Sequence, residues 1–121
     1  MIYTASYFEP HNHHGSRISI SRSEPHKIAV DEKLAIFVPE QRILSDYKRG
    51  SIDIEGYINR YREQMRRSFP HIRAWLDSLD PSVDMTLLCW EKPGQFCHRN
   101  LAIAFVERYR LDCFGGRDIA H

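Results

Sequence analysis

Two thiols, a carboxylate, an imidazole and a guanidinium crowd into the stretch Cys89-Trp-Glu-Lys-Pro-Gly-Gln-Phe-Cys-His-Arg99. Each group has a chemical use. A cysteine where a helix begins tends to have a lowered pKa, and its thiolate is the nucleophile, which makes Cys97 a catalytic candidate. Glu91 is a candidate general base, or an acceptor for ligand hydroxyls. His98 and Arg99 sit where backbone N–H groups of a helix start are unpaired, a setting that suits an anion. Arg99, with Arg22 from a distant segment, offers forked donors for a phosphate or carboxylate. Plainer roles compete with each of these. Cys97 can cap or pack its helix, and Cys89 on a buried strand reads as core. Glu91 and Arg99 can form a structural ion pair, and His98 can simply open a helix.

Counting removes several sharper motifs. A phosphatase-type loop needs arginine six positions after cysteine, but Gln95, Ile103 and Ile119 follow Cys89, Cys97 and Cys113 at that spacing. There is no C-x-x-C, no G-x-x-x-x-G-K-[ST], no G-x-G-x-x-G and no G-x-S-x-G. His11, His13, His14, Cys89, Cys97 and His98 are all metal-ligand types, yet no spacing matches a zinc pattern, so no metal is assigned and a solvated histidine loop is preferred. A metal-dependent site using Cys97 and His98 is kept as the second alternative. Arg60, Arg62, Arg66, Arg67 and Arg73 read as a solvated basic helix face and not as a nucleic-acid footprint. Tyr57 and Tyr61 lie on an apolar stripe and read as core.

The elements that position these residues follow from periodicity. Ile2–Ser6 is short, β-branched and aromatic, and opens a strand. Arg17–Ser21 alternates as a second strand. Leu34–Val38 is a short apolar run, and Pro39 suits the start of a helix that Gly50 stops near Arg49. Ile54, Tyr57, Ile58, Tyr61 and Met65 make one helical stripe, with Ser51 or Asp53 as cap. Pro70 interrupts it, and Ile72, Trp75, Leu76 and Leu79 form another stripe. Met85–Trp90 is a continuous apolar run, as expected of a central strand covered on both faces. Pro93-Gly94 breaks it. His98–Arg110 is helical, with Leu101–Val106 apolar nearly all round, and Asp112–Ile119 returns a last short strand.

The 121 residues suit one domain, residues 1–121, with a single core. Hydrophobic residues are 42% and charged residues 27% of the chain, and 17 Lys and Arg against 16 Asp and Glu leave +1, a balance that points to no particular polymer partner. No secretory signal or membrane span is read, and three cysteines are too few for a disulfide scaffold. The expectation is a cytoplasmic protein with free thiols, a monomer or homodimer without a membrane partner. The fold class expected is α/β: a compact three-layer Rossmann-like domain with a small, mostly parallel sheet flanked by helices. Ligands in such sheets bind beyond the carboxyl ends of the strands. Ser6 and Tyr7, then Ser21, Arg22 and Ser23, then Glu91 to Arg99 should therefore converge on one crevice.

The segment Leu87-Leu-Cys-Trp-Glu-Lys-Pro-Gly-Gln-Phe-Cys-His-Arg99 resembles the signature of the domain of unknown function 488 (DUF488) family: a strand ending Leu-Cys-x-Glu-Lys, a short loop, and Cys-His-Arg opening a helix. Tyr3-Thr-Ala-Ser-Tyr7 and Ile18-Ser-Ile-Ser-Arg22 resemble its first two strands. Leu44–Gly50 with Tyr57 and Tyr61 resembles its middle helices. The resemblance covers Met1 to about Tyr109 and is weak beyond Leu111. It implies a compact Rossmann-like fold and marks Ser6, Arg22, Cys89, Glu91, Cys97, His98 and Arg99 as motif positions. It carries no reaction and no cofactor.

The reading is a crevice that binds or processes a nucleotide- or nucleoside-like anion. Glu91 and Cys97 are its catalytic candidates, and Ser6, Tyr7, Ser21, Arg22, His98 and Arg99 its ligand-binding ones. A non-catalytic module for a nucleotide or nucleic-acid fragment is the first alternative.

Overall fold

The structure is a computed structural model that describes residues 1–92 and 95–118. Four strands, β1 (Ile2–Ser6), β2 (Ser16–Ser19), β3 (Glu32–Lys33) and β4 (Met85–Cys89), form one sheet in the order β1-β4-β2-β3. Every pairing is parallel. Ile2 lies opposite Met85, Ser6 opposite Cys89 and Ile18 opposite Leu87. The continuous apolar run of β4 thus takes the central position between β1 and β2, and the compact α/β fold agrees with the expectation.

Four helices complete it: α1 (Gln41–Lys48), α2 (Ile54–Arg67), α3 (Phe69–Asp77) and α4 (Arg99–Tyr109). Asp53 caps α2 by accepting from the Gly56 amide at 2.8 Å. Pro70 does not kink a continuing helix; it sits in the first turn of α3, where its missing N–H is no loss. Gly50 ends α1 with φ +76°, a conformation that disfavours any side chain.

Alternation divides the sheet into two faces. Ile2, Ile18, Ile20, Leu87 and Cys89 join the larger core with Ile43, Tyr61, Met65, Ile72, Leu76 and Ile103 from the four helices. Ala5, Tyr7 and Leu88 form a smaller cluster closed by Ile28 and Val30. The covering of this second cluster comes from a loop.

Four elements differ from the expectation. The second strand ends at Ser19, and β3 adds a two-residue edge that no periodicity can reveal. Leu34–Val38 becomes a 3-10 turn over Ala35–Phe37 that buries Phe37. Beyond α4 there is no strand among the described residues: Leu111–Cys113 is a 3-10 turn, and Phe114 makes a single parallel bridge to Ile2. Pro93-Gly94 and Ile119 lie outside the described residues.

Candidate functional site

The strand carboxyl ends open into a cavity of about 670 Å3. Its lining includes Ser21, Arg22 and Ser23 after β2, Gln41, Tyr47 and Lys48 of α1, Tyr57 of α2, and Cys89, Trp90, Glu91, Phe96, Cys97 and His98. Two of the three segments expected to converge meet here, the one after β2 and the one after β4; the segment after β1 is not part of the lining. Of the sequence-derived candidates, Ser21, Arg22, Glu91, Cys97 and His98 line the cavity.

Ser6, Tyr7 and Arg99 lie beneath it. The Ser6 hydroxyl donates to the Trp90 carbonyl at 3.2 Å. The Tyr7 hydroxyl is 2.8 Å from Ser19 Oγ and 2.6 Å from Ser21 Oγ. Burial pushes the Tyr7 phenol up, with the two serine bonds working against that rise. These groups hold the strand ends in register instead of facing a ligand.

Arg99 departs most from its expected role. Its side chain is 0% exposed. Nε and Nη2 donate to the two carboxylate oxygens of Asp118 at 3.1 and 2.9 Å. Nη1 donates to the Glu91 carbonyl at 2.7 Å and contacts Cys89 Sγ at 3.2 Å. A guanidinium so engaged has no fork left for a ligand anion. The pairing also answers the proposed Glu91–Arg99 ion pair: Arg99 holds the Glu91 backbone, and its carboxylate partner is Asp118. Thr4 Oγ1 donates to the same carboxylate at 2.6 Å. Burial tends to raise the Asp118 carboxyl, but the Arg99 and Thr4 hydrogen bonds and the Arg99 charge outweigh it and hold it below the usual range.

The α4 start is also less available than expected. The Asn100 amide already bonds the Cys97 carbonyl, and Leu101 and Ala102 bond that of His98. Positive charge at the cavity comes instead from the exposed side chains of Arg22 and Lys48. Arg22 is steadied by a 3.2 Å bond to the Pro39 carbonyl. Sequence reasoning missed Lys48 and Tyr47, whose only signal is that α1 must pack over the strand ends.

Tyr47, Tyr57 and Phe96 build an aromatic wall, with ring centroids 4.9 Å apart for Tyr57–Phe96 and 5.3 Å for Tyr47–Tyr57. Tyr57 is buried as expected of core, but its edge belongs to the cavity. Its phenol is pushed up, first by burial and then by the nearby Glu91 charge. Trp90 is fixed by donating its indole N–H to the Ser23 carbonyl at 2.8 Å.

Cys89 and Cys97 are joined as a disulfide, and Cys113 is free and buried. The expectation of three free thiols is corrected: the parallel register and the return of the loop bring the two side chains together. In this oxidised form Cys97 carries no thiolate, and the nucleophile reading applies only to the reduced protein. His98 is buried, with Nε2 2.6 Å from the Ile20 carbonyl. Burial lowers its pKa to about 4, the Ile20 bond opposing and the Arg99 charge assisting, so the ring is neutral near pH 7.

In the histidine loop His11 and His14 are exposed, as expected of a solvated loop, and His13 is half-buried. His13 Nε2 lies 2.8 Å from the Ser6 carbonyl, and the His14 ring lies against Tyr3. On the basic face, Arg60 pairs with Asp46, Arg66 with Glu63, Arg67 with Glu40 and Arg73 with Asp77. Those charges are compensated locally, which leaves little net field for a polyanion. No helix among the described residues is long and apolar enough to cross a membrane.

A parallel sheet flanked by helices, with a cavity at the carboxyl ends of its central strands, defines a compact α/β protein. The chain belongs to the DUF488 family: residues 2–110 match the model described as the active DUF488-N3 subclade. No curated protein and no solved structure matches it.

Proposed function

We propose that the cavity binds, and through Glu91 processes, a nucleotide- or nucleoside-like anion. The observation that carries this is the joining of an aromatic wall to two exposed cations in one cavity. Tyr47, Tyr57, Phe96 and Trp90 offer flat apolar surface to a base, and Arg22 and Lys48 offer donors to a phosphate. The volume of about 670 Å3 falls inside the roughly 300–1,000 Å3 common for small-molecule sites. Glu91, half-buried and close to Tyr57, serves as acceptor for a ribose or base donor and as general base.

Thermal-shift titration with purine and pyrimidine monophosphates tests it. A nucleotide at 100 times its Kd stabilises by about 2.7 kcal/mol. Arg22→Ala and Lys48→Ala should each weaken binding by about 10-fold or more, as loss of a charge-assisted hydrogen bond does. Unchanged affinity in both variants, or no shift with any nucleotide at millimolar concentration, would overturn the reading. Glu91→Gln separates enzyme from binding module: an enzyme keeps its ligand and loses turnover.

A further inference from the structure

Cys89 Sγ, Cys97 Sγ and a His98 ring nitrogen lie within 4.8 Å of one another, all three residues buried and all three lining the cavity. We propose that in the reduced protein these three side chains hold a zinc-class divalent cation, with its fourth coordination position open to the cavity. The inference does not depend on the nucleotide reading.

The ligand atoms are already oriented. His98 Nε2 sits 2.6 Å from the Ile20 carbonyl, which can only accept, so Nε2 carries the proton. The Nδ1 lone pair is then free and points at the sulfurs, 3.8 Å from Cys97 Sγ. Tetrahedral zinc with bonds of about 2.05 Å to nitrogen and 2.3 Å to sulfur separates such a pair by about 3.6 Å. A metal-bound histidine commonly donates its other N–H to a backbone carbonyl, as His98 does. Arg99 Nη1, 3.2 Å from Cys89 Sγ, supplies a positive outer partner to a metal thiolate. The Cα atoms of Cys89 and Cys97 stand 7.5 Å apart, wider than the roughly 4.4–6.8 Å usual for direct bridges. That spacing leaves room for an ion between the sulfurs once the bond is opened.

The chemistry balances. A dithiol or phosphine reductant delivers two electrons, and with two protons the disulfide becomes two thiols. The cation then displaces both thiol protons to solvent while neutral His98 coordinates through Nδ1. Two thiolates and one imidazole plus an open position is a donor set that zinc takes in catalytic sites, the last position being left to water or substrate.

The test uses the full chain, reduced with a phosphine under anaerobic conditions and titrated with Co2+. The expected result is one Co2+ per chain with the visible absorption of a tetrahedral thiolate site, bleached by one equivalent of Zn2+. His98→Gln should weaken Co2+ binding by more than the ~10–100-fold typical of losing an outer partner. Cys113→Ser should bind as the parent does. Oxidised wild-type protein, which keeps the same chain and needs no substitution to fold, should bind neither ion at the cavity. Failure of the reduced protein to bind either ion overturns the proposal. So does equal binding by the oxidised protein or by His98→Gln.

Discussion

Asp118→Asn is the sharpest test of how the fold supports the cavity. Arg99 is 0% exposed and Asp118 6%, so the pair is essentially out of water. The carboxylate accepts two guanidinium bonds at 3.1 and 2.9 Å. Asparagine removes the compensating charge and turns an N–H2 donor toward a group that can only donate. Breaking one side of a buried pair costs about 3–5 kcal/mol, because the other charge stays buried without compensation. At about 4 °C for each kcal/mol, the melting temperature should drop by about 12–20 °C. Urea unfolding should show the midpoint falling at constant m, since the exposed surface is unchanged. Replacing both partners, as Arg99→Met with Asp118→Leu, should recover most of the loss, because it removes both desolvation penalties together. A single Asp118→Asn variant within about 1 kcal/mol of wild type, in a range where buried pairs normally lose several, would refute the argument that Arg99 depends on this carboxylate.

The same carboxyl predicts an acid limb. Its folded pKa is lowered, so its stabilisation is full above the unfolded carboxylate pKa and is lost as pH falls through the folded value; the wild-type loss of stability below about pH 4 should be shallower in the double variant, read by urea midpoints against pH. Tyr61→Phe should cost about 1–3 kcal/mol in denaturant melts, because the buried Phe37 carbonyl loses the 2.7 Å bond from the Tyr61 hydroxyl. Gly50→Ala meets nothing within 4 Å and should lose only the left-handed backbone cost, about 1–2 kcal/mol. Gly115→Ala places a Cβ 2.6 Å from the Tyr3 ring and should destabilise by about 1–3 kcal/mol through forced repacking; parity of Gly115→Ala with wild type by thermal melt counts against that close approach.

Local rules carried much of the fold. The β4 run was legible because a strand buried on both faces must be apolar throughout, and α2 because its stripe and Asp53 cap agree. Short-range signals failed at β3, where two charged residues pair through backbone alone, and after Leu111. There Gly115 lets the tail pass close against Tyr3, which a strand pattern cannot anticipate. At the cavity, the convergence of Ser21, Arg22, Glu91, Cys97 and His98 followed from strand ends. Lys48 and Tyr47 were not visible, because α1 carries no chemical motif and gains its role by packing over those ends.

What the sequence alone determined is the set of chemical groups between Cys89 and Arg99 and the parallel α/β frame that gathers them. Tertiary structure decided how those groups divide. Arg99 faces inward to Asp118, 19 residues away, because a guanidinium at the start of a buried helix must find a carboxylate before it can be taken from water. Cys89 and Cys97 meet each other and His98 because β4 ends level with the start of α4. Which partner a side chain finds depends on the path of distant chain, and no local spacing records that path.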